Sequence, residues 1–173
     1  MNLKTYLCAA VTVVLLTLSA WSRAATYSLF ATLDGSQTVP TNASAGTGTG
    51  NMTYDDITKL FSWDINFSGL SSGAVLSHFH GPAAPGVNAG IQVTIPLGPS
   101  AGMTSGNLVG TATLTATQET QLLSDLWYIN IHTDLFPSGE IRGQVQVVPL
   151  PAAIWLLGSG VLGLATLTRR RAG

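Results

Sequence analysis

The sequence contains little charge and almost no cysteine. Only 9% of its 173 residues are charged, and its single cysteine, Cys8, lies in an apolar segment near the N-terminus. One cysteine excludes an intrachain disulfide, and removal of Cys8 with a leader would also exclude a thiol nucleophile. Between Thr26 and Val148, two positive and eight negative residues give a net charge of −6. An acidic domain without a basic patch argues against nucleic acid or an anionic lipid surface as the main partner.

Common catalytic and nucleotide-binding motifs are also missing from the sequence. No serine lies in a Gly-x-Ser-x-Gly turn, and there is no phosphate-binding loop or dinucleotide-binding glycine pattern. Asp134 and Glu140 flank a turn, but nothing in their spacing specifies a pair of catalytic carboxylates. We therefore expect a protein that is not an enzyme.

The N-terminal segment has the three regions of a secretory signal peptide. Lys4 precedes an apolar run over residues 7–20, and the small residues Ser22 and Ala24 follow it. This pattern predicts a signal peptide over residues 1–24, with cleavage after Ala24. An uncleaved anchor helix is the alternative, but the apolar run is short for one.

The C-terminal segment combines a Pro-containing break, an apolar run over residues 152–168 and an arginine cluster. At about 1.5 Å per residue, the run spans roughly 26 Å, enough for the hydrocarbon core of a membrane. The arginines would stay on the cytoplasmic side. The sequence therefore predicts a transmembrane helix over 152–168, with the preceding domain outside the cytoplasm.

The same tail, residues 148–173, resembles a known sorting signal. Its motif consists of Val148, Pro149, Leu150, Pro151 and Ala152, followed by the apolar helix and by Arg169, Arg170 and Arg171. It is similar to the VPLPA variant of the PEP-CTERM signal of Gram-negative bacteria. The resemblance implies an exosortase-type sorting protease as partner. It also implies a periplasmic, outer-surface or extracellular location, with at least transient anchoring in the inner membrane and a cytoplasmic C-terminus. An ordinary anchor helix would differ only in being retained.

Residues 26–147 have the pattern of an all-β domain. The clearest strand lies within residues 59–70, where four large apolar side chains alternate with polar ones: Phe61, Trp63, Ile65 and Phe67. Residues 41–50, rich in glycine, threonine and serine, are either a loop or a small-residue strand. The one predicted helix spans 117–125, with Thr117 as its N-cap. We expect an antiparallel Greek-key β-sandwich or barrel of about seven to nine strands with one short helix, flanked by an N-terminal signal helix and the C-terminal transmembrane helix.

Residues 127–147 predict a hairpin, because two alternating runs are joined by a Pro-Ser-Gly turn. Its apolar face begins with Trp127, Ile129 and Ile131. Its other face is a row of polar groups that includes Tyr128, Asn130, His132, Glu140 and Arg142.

All three histidines of the chain are candidate metal ligands. His78 and His80 are two residues apart in a predicted strand, so both rings project from one face. If His132 lies on a neighbouring strand, the three imidazoles can converge on Zn or Cu, with nitrogens about 2.0–2.1 Å from Zn. The alternative is structural: the histidines are hydrogen-bond bridges, and Asn130, Glu140 and Arg142 contribute to a polar network that locks the hairpin. The sequence leaves both open.

Three segments of the domain resemble the CHRD domain, the repeat named after chordin. They are Leu33–Gln37 with Val39-Pro40, His78–Pro82, and Tyr128–Thr133 with Pro137–Gln144. The resemblance implies a β-sandwich in an extracytoplasmic protein, without an established reaction. The expected function is a structural or binding role at the cell surface or in the extracellular matrix, with a matrix polysaccharide or protein as partner. The alternative is a Cu- or Zn-binding protein that uses His78, His80 and His132.

Overall fold

The computed structural model describes residues 25–149. The predicted signal peptide and its cleavage site, the sorting residues from Leu150 onward and the predicted transmembrane helix lie outside this range. Within residues 25–149, no helix has the length and apolar character that crossing a membrane requires.

The described residues form nine strands and one α-helix, α1 (Ala116–Leu123), with two short 3-10 turns. The strands are β1 Thr26–Asp34, β2 Thr47–Asp55, β3 Leu60–Ser68, β4 Ala74–His80, β5 Ile91–Thr94, β6 Gly106–Thr113, β7 Tyr128–Thr133, β8 Ile141–Gln144 and β9 Gln146–Val147. Neighbouring strands pair antiparallel in the order β5-β4-β7-β8-β1-β2-β3-β6, and β9 also pairs with β1. The predicted all-β antiparallel class is confirmed.

The sheet curls until it is nearly closed like a barrel, and aromatic side chains from its two halves meet in the core. The Phe79 ring of β4 lies 5.0 Å from Phe61 and 5.3 Å from Trp63, both on β3, between ring centroids. Trp127, just before β7, packs edge-on against Phe61 at 5.9 Å. The predicted apolar face of β3 is buried as expected, and each such large side chain stabilises the fold by about 1.5–3 kcal/mol.

The glycine-rich segment divides into a loop over residues 41–46 and the start of β2. The backbone of β2 approaches the opposite wall closely at Gly50. A side chain there would begin 2.9 Å from the Ile129 side chain of β7. The absence of a side chain at Gly50 therefore lets β2 lie close to β7 across the core.

The helix begins earlier than the sequence pattern predicts. Its N-cap is Thr115, and the expected cap, Thr117, lies within the helix. The reason is a reciprocal pair of bonds: the Gln118 N–H donates to Thr115 Oγ1, and the Thr115 N–H donates to Gln118 Oε1. Glu119 lies in the first turn as expected, and Leu122 packs the helix onto the core.

Candidate metal centre

Two neighbouring strands bring the three histidines together. Strands β4 and β7 pair antiparallel, with His78 opposite Asn130 and Leu76 opposite His132. This register places His132 diagonally across from His78 on one face of the sheet. One ring nitrogen from each histidine lies within 4.8 Å of those of the other two. The condition that the sequence left open, adjacency of the two strands, is met.

Backbone carbonyls orient two of the three rings. His80 Nδ1 lies 3.0 Å from the carbonyl oxygen of Ala89, and His132 Nδ1 lies 2.9 Å from that of Pro137. A carbonyl only accepts hydrogen bonds, so each Nδ1 must carry the proton, and Nε2 of the neutral ring keeps its lone pair. Metal-binding histidines are typically held in this way by a partner on the other ring nitrogen.

Within residues 25–149, the lone pair of His80 has no hydrogen-bond partner. Its Nε2 atom is buried, and no donor among the described residues reaches it. His132 Nε2 lies 3.4 Å from His78 Nδ1. Two nitrogens bound to one tetrahedral Zn at about 2.0–2.1 Å are separated by roughly 3.3–3.4 Å, so this pair already has the spacing of two ligands. If this contact were instead a hydrogen bond from His78 Nδ1 to His132 Nε2, the Nε2 atom of His80 would still lack a partner among the described residues.

Burial keeps the three imidazoles in the neutral form that metals bind. Desolvation lowers the pKa of all three below the ordinary value of 6.5. At His78 the two other imidazoles add to the lowering. At His80 the Ala89 carbonyl opposes it, whereas His132 and Arg142 reinforce it. The cluster is therefore a set of three neutral nitrogen donors at pH 7.

The polar face of the β7–β8 hairpin is on the predicted side, but it too is buried. Tyr128, Asn130, His132 and Arg142 are each at most 9% exposed. The segment before β5 covers part of this face: the Ala89 N–H donates to Tyr128 Oη at 3.0 Å. Such covering segments have no periodic pattern, so alternation along the strands did not reveal them.

Tyr128 separates the histidines from Arg142. His80 stacks on the Tyr128 ring at 5.1 Å between centroids, with an angle of 8° between the planes. The Arg142 guanidinium lies 3.6 Å from the centroid of the same ring. Because β4 and β8 flank β7 on opposite sides, the phenol ring lies between the imidazole and the guanidinium. Apart from the alternation of the two strands, no sequence pattern indicates this stack.

The structure does not bring Glu140 to Arg142. The Glu140 carboxylate accepts hydrogen bonds from Ser44 Oγ, Thr133 Oγ1 and the Ser71 N–H, each at 2.6 Å. Burial alone would raise the pKa of Glu140, but these hydrogen bonds outweigh burial and lower it. The three donors come from distant parts of the chain and show no motif, so sequence reasoning missed them.

Asn130 forms a third, separate contact in this region. Its Nδ2 donates to the carbonyl oxygen of Ser138 in the hairpin turn at 3.0 Å. Asn130 and Arg142 are partners in the β7–β8 register. Among the described residues, no hydrogen bond joins these two side chains or joins either of them to Glu140. The residues proposed as one polar network thus hold the hairpin through separate contacts.

Comparison with known proteins identifies the family. No curated protein matches the chain. The family model of the CHRD domain matches residues 29–145, which include all three histidines and both strands of the hairpin. Such a domain is of an extracellular or secreted, binding type. The chain therefore belongs to the CHRD domain family.

Proposed function

We propose that this protein is an exported binding protein whose CHRD domain holds one Cu or Zn ion through His78, His80 and His132. The observation that carries the proposal is the buried Nε2 of His80, which has no partner within residues 25–149. Leaving such a group unsatisfied costs about 1–3 kcal/mol. One ion bound to the cluster would occupy this lone pair together with those of the other two rings.

The chemistry of the donors selects the type of ion. Neutral imidazoles suit Zn and Cu, whereas Mg and Ca prefer oxygen ligands. Three histidines leave one position of a four-coordinate ion for a further ligand. The carboxylate of Glu140 is already held by three hydrogen-bond donors. We propose a binding role for the protein, without an enzymatic reaction.

The location that we propose follows from the family and from both ends of the sequence. The N-terminal segment directs export, and the motif from Val148 to Ala152 with the terminal arginines directs sorting by an exosortase-type protease. The domain then acts at the outer surface or in the extracellular matrix, where a polysaccharide or a protein is its partner.

Metal content tests the proposed function. The protein is purified from the periplasm without chelators or a His-tag, and metals are measured by plasma mass spectrometry. We expect about one Cu or Zn per chain in the wild type and none in the variant with His78→Ala, His80→Ala and His132→Ala. Asp134→Asn is the control, because this exposed carboxylate lies two residues from His132 and should not affect binding.

Two results would contradict the proposal. One is the absence of stoichiometric metal from a folded wild type that also fails to take up added Zn or Cu. The other is equal metal content in the triple variant, which would place the ion elsewhere. In either case the histidines would be hydrogen-bond bridges with a structural role.

A further inference from the structure

A cleft of about 500 Å³ lies on the other side of Tyr128 from the histidines. Its walls come from residues 36–41, from Pro85 and Gly86, and from β8. Most of the lining side chains are uncharged, and Arg142 is the one charged residue that lines it among the described residues. The volume is within the range of sites for small molecules, about 300–1,000 Å³.

Arg142 lines this cleft without a charged partner in the part of the chain that the structure describes. The side chain is 2% exposed, and no carboxylate within residues 25–149 comes within 4.0 Å of it. Its two hydrogen bonds, to Asn88 Oδ1 and Gln144 Oε1, are both 3.5 Å long. A guanidinium has five N–H donors, so most of its capacity is unused. A buried and unpaired cation is costly, and a bound anion would relieve that cost.

The nearest acidic residue along the sheet does not provide that anion. Asp34 is opposite Arg142 in the β1–β8 register. Its carboxylate instead accepts hydrogen bonds from the Ser36 N–H and hydroxyl, and from the Gln37 N–H and side-chain amide. The guanidinium is therefore left for a ligand from outside the domain.

We propose that the cleft binds a carboxylate, with Arg142 as its anchor. The planar fork of a guanidinium matches a carboxylate through two parallel hydrogen bonds. One positive charge in an otherwise neutral cleft complements one negative charge. The cleft also has room for more than the carboxylate, and its lining combines hydroxyl groups (Ser36, Thr41) with proline rings (Pro40, Pro85). This combination fits a hydroxylated ring of monosaccharide size, as in a uronic acid.

The proposed carboxylate site does not depend on the metal site. Tyr128 lies between the two, and none of the histidines lines the cleft. The net charge of −6 between Thr26 and Val148 disfavours anions at long range, so the attraction has to be local to Arg142. Binding is therefore expected to persist at physiological salt, where distant charges are screened.

Calorimetric titration of the exported protein tests this proposal, with D-galacturonate as probe and D-galactose as its neutral match. We expect galacturonate to bind at least tenfold more tightly than galactose. Binding should fall at least tenfold in Arg142→Gln. It should also fall in Thr41→Glu, because a carboxylate within the cleft competes with the ligand. Thr41→Gln has the shape of Thr41→Glu without the charge, so it should bind galacturonate more tightly than Thr41→Glu does.

The Thr41 pair keeps the test decisive if Arg142→Gln does not fold, since Thr41 is exposed. Equal affinity for galactose and galacturonate, equal binding by Thr41→Glu and Thr41→Gln, or no binding of galacturonate would overturn the proposal. Binding of inorganic phosphate in place of galacturonate would overturn the carboxylate class. Tighter binding of oligogalacturonate than of the monomer would support a polymer as the source, and equal binding would support a free acid. Metal content is measured on the same samples, so failure of one site is distinguishable from failure of the other.

Discussion

Replacement of Glu140 by glutamine should destabilise the domain more than a single buried hydrogen bond would suggest. The carboxylate is fully buried and accepts three hydrogen bonds, from Ser44, Ser71 and Thr133. Hydrogen bonds to a charged group contribute about 1.5–3 kcal/mol each, and neutral ones about 0.5–1.5 kcal/mol. Loss of the charge weakens the bonds from Ser44 and Ser71 by about 1 kcal/mol each. The NH2 group that replaces the second oxygen cannot accept the bond from Thr133. Because burial of the charge offsets part of this, we expect a net loss of about 2 kcal/mol.

The pH dependence of this loss follows from the direction of the pKa shift. The hydrogen bonds hold the pKa of Glu140 below its ordinary value of 4.5 in the folded protein, although burial opposes them. The stabilisation is then fully present above pH 4.5 and is lost as the pH falls through the lowered pKa. The difference between wild type and Glu140→Gln should be constant near pH 7 and should narrow in acid.

Urea unfolding at several pH values measures the effect of Glu140→Gln. Glu119→Gln is the matched control, because Glu119 forms a surface ion pair with Lys59 at 2.8 Å, and solvent-exposed pairs contribute little to stability. A loss below about 0.5 kcal/mol at pH 7 would refute the assigned strength of the three bonds. A loss that stays constant down to pH 3 would refute the assigned protonation state. The turn that Glu140 helps to hold also contains Pro137, whose carbonyl accepts the hydrogen bond from His132. Glu140→Gln should therefore lower the affinity for the metal as well as the stability.

Three further comparisons test other parts of the structure, each by chemical denaturation. Thr115→Ala should lower the free energy of unfolding by about 1 kcal/mol because it removes the helix cap, whereas Thr117→Ala should lower it by less than about 0.5 kcal/mol. The reverse order would support Thr117 as the N-cap, as predicted from the sequence. Gly143→Ala should lower the free energy of unfolding by about 1–3 kcal/mol, because its Cβ would meet the backbone of β1. Gly90→Ala should have no effect, because there is open space around Gly90. Equal effects of the two substitutions would contradict the close approach of β8 and β1. Burial keeps the pKa of His80 below 6.5. The metal-free wild type should therefore lose stability as the pH falls from 6.5 through the lowered pKa, and His80→Gln should lose less. Parallel curves of unfolding free energy against pH for the two proteins would contradict this.

Local sequence patterns predicted the strands well because their signal is short-range. The alternation of Phe61, Trp63, Ile65 and Phe67 needs only a pleated strand with one face on a core, and that is what β3 is. The predicted start of the helix was wrong because Thr115 and Thr117 are both suitable N-cap residues. Only Thr115 has a glutamine three residues later, which completes the capping box.

The candidate site was predictable only in part, because it depends on which strands are neighbours. The two-residue spacing of His78 and His80 is visible in the sequence, whereas the pairing of β4 with β7 that brings His132 to them is not. The carbonyls of Ala89 and Pro137 that orient two rings belong to irregular segments without a pattern. Whether Arg142 has a carboxylate partner within residues 25–149 depends on where every carboxylate of this range lies in three dimensions.

X-ray absorption spectroscopy of the Zn- or Cu-loaded protein identifies the atoms bound to the ion, and so tests whether His78, His80 and His132 are its ligands. We predict three imidazole nitrogens, at about 2.0–2.1 Å for Zn, and the loss of one imidazole in His80→Ala. An ion surrounded by oxygen ligands, or a spectrum that His80→Ala leaves unchanged, would contradict this prediction.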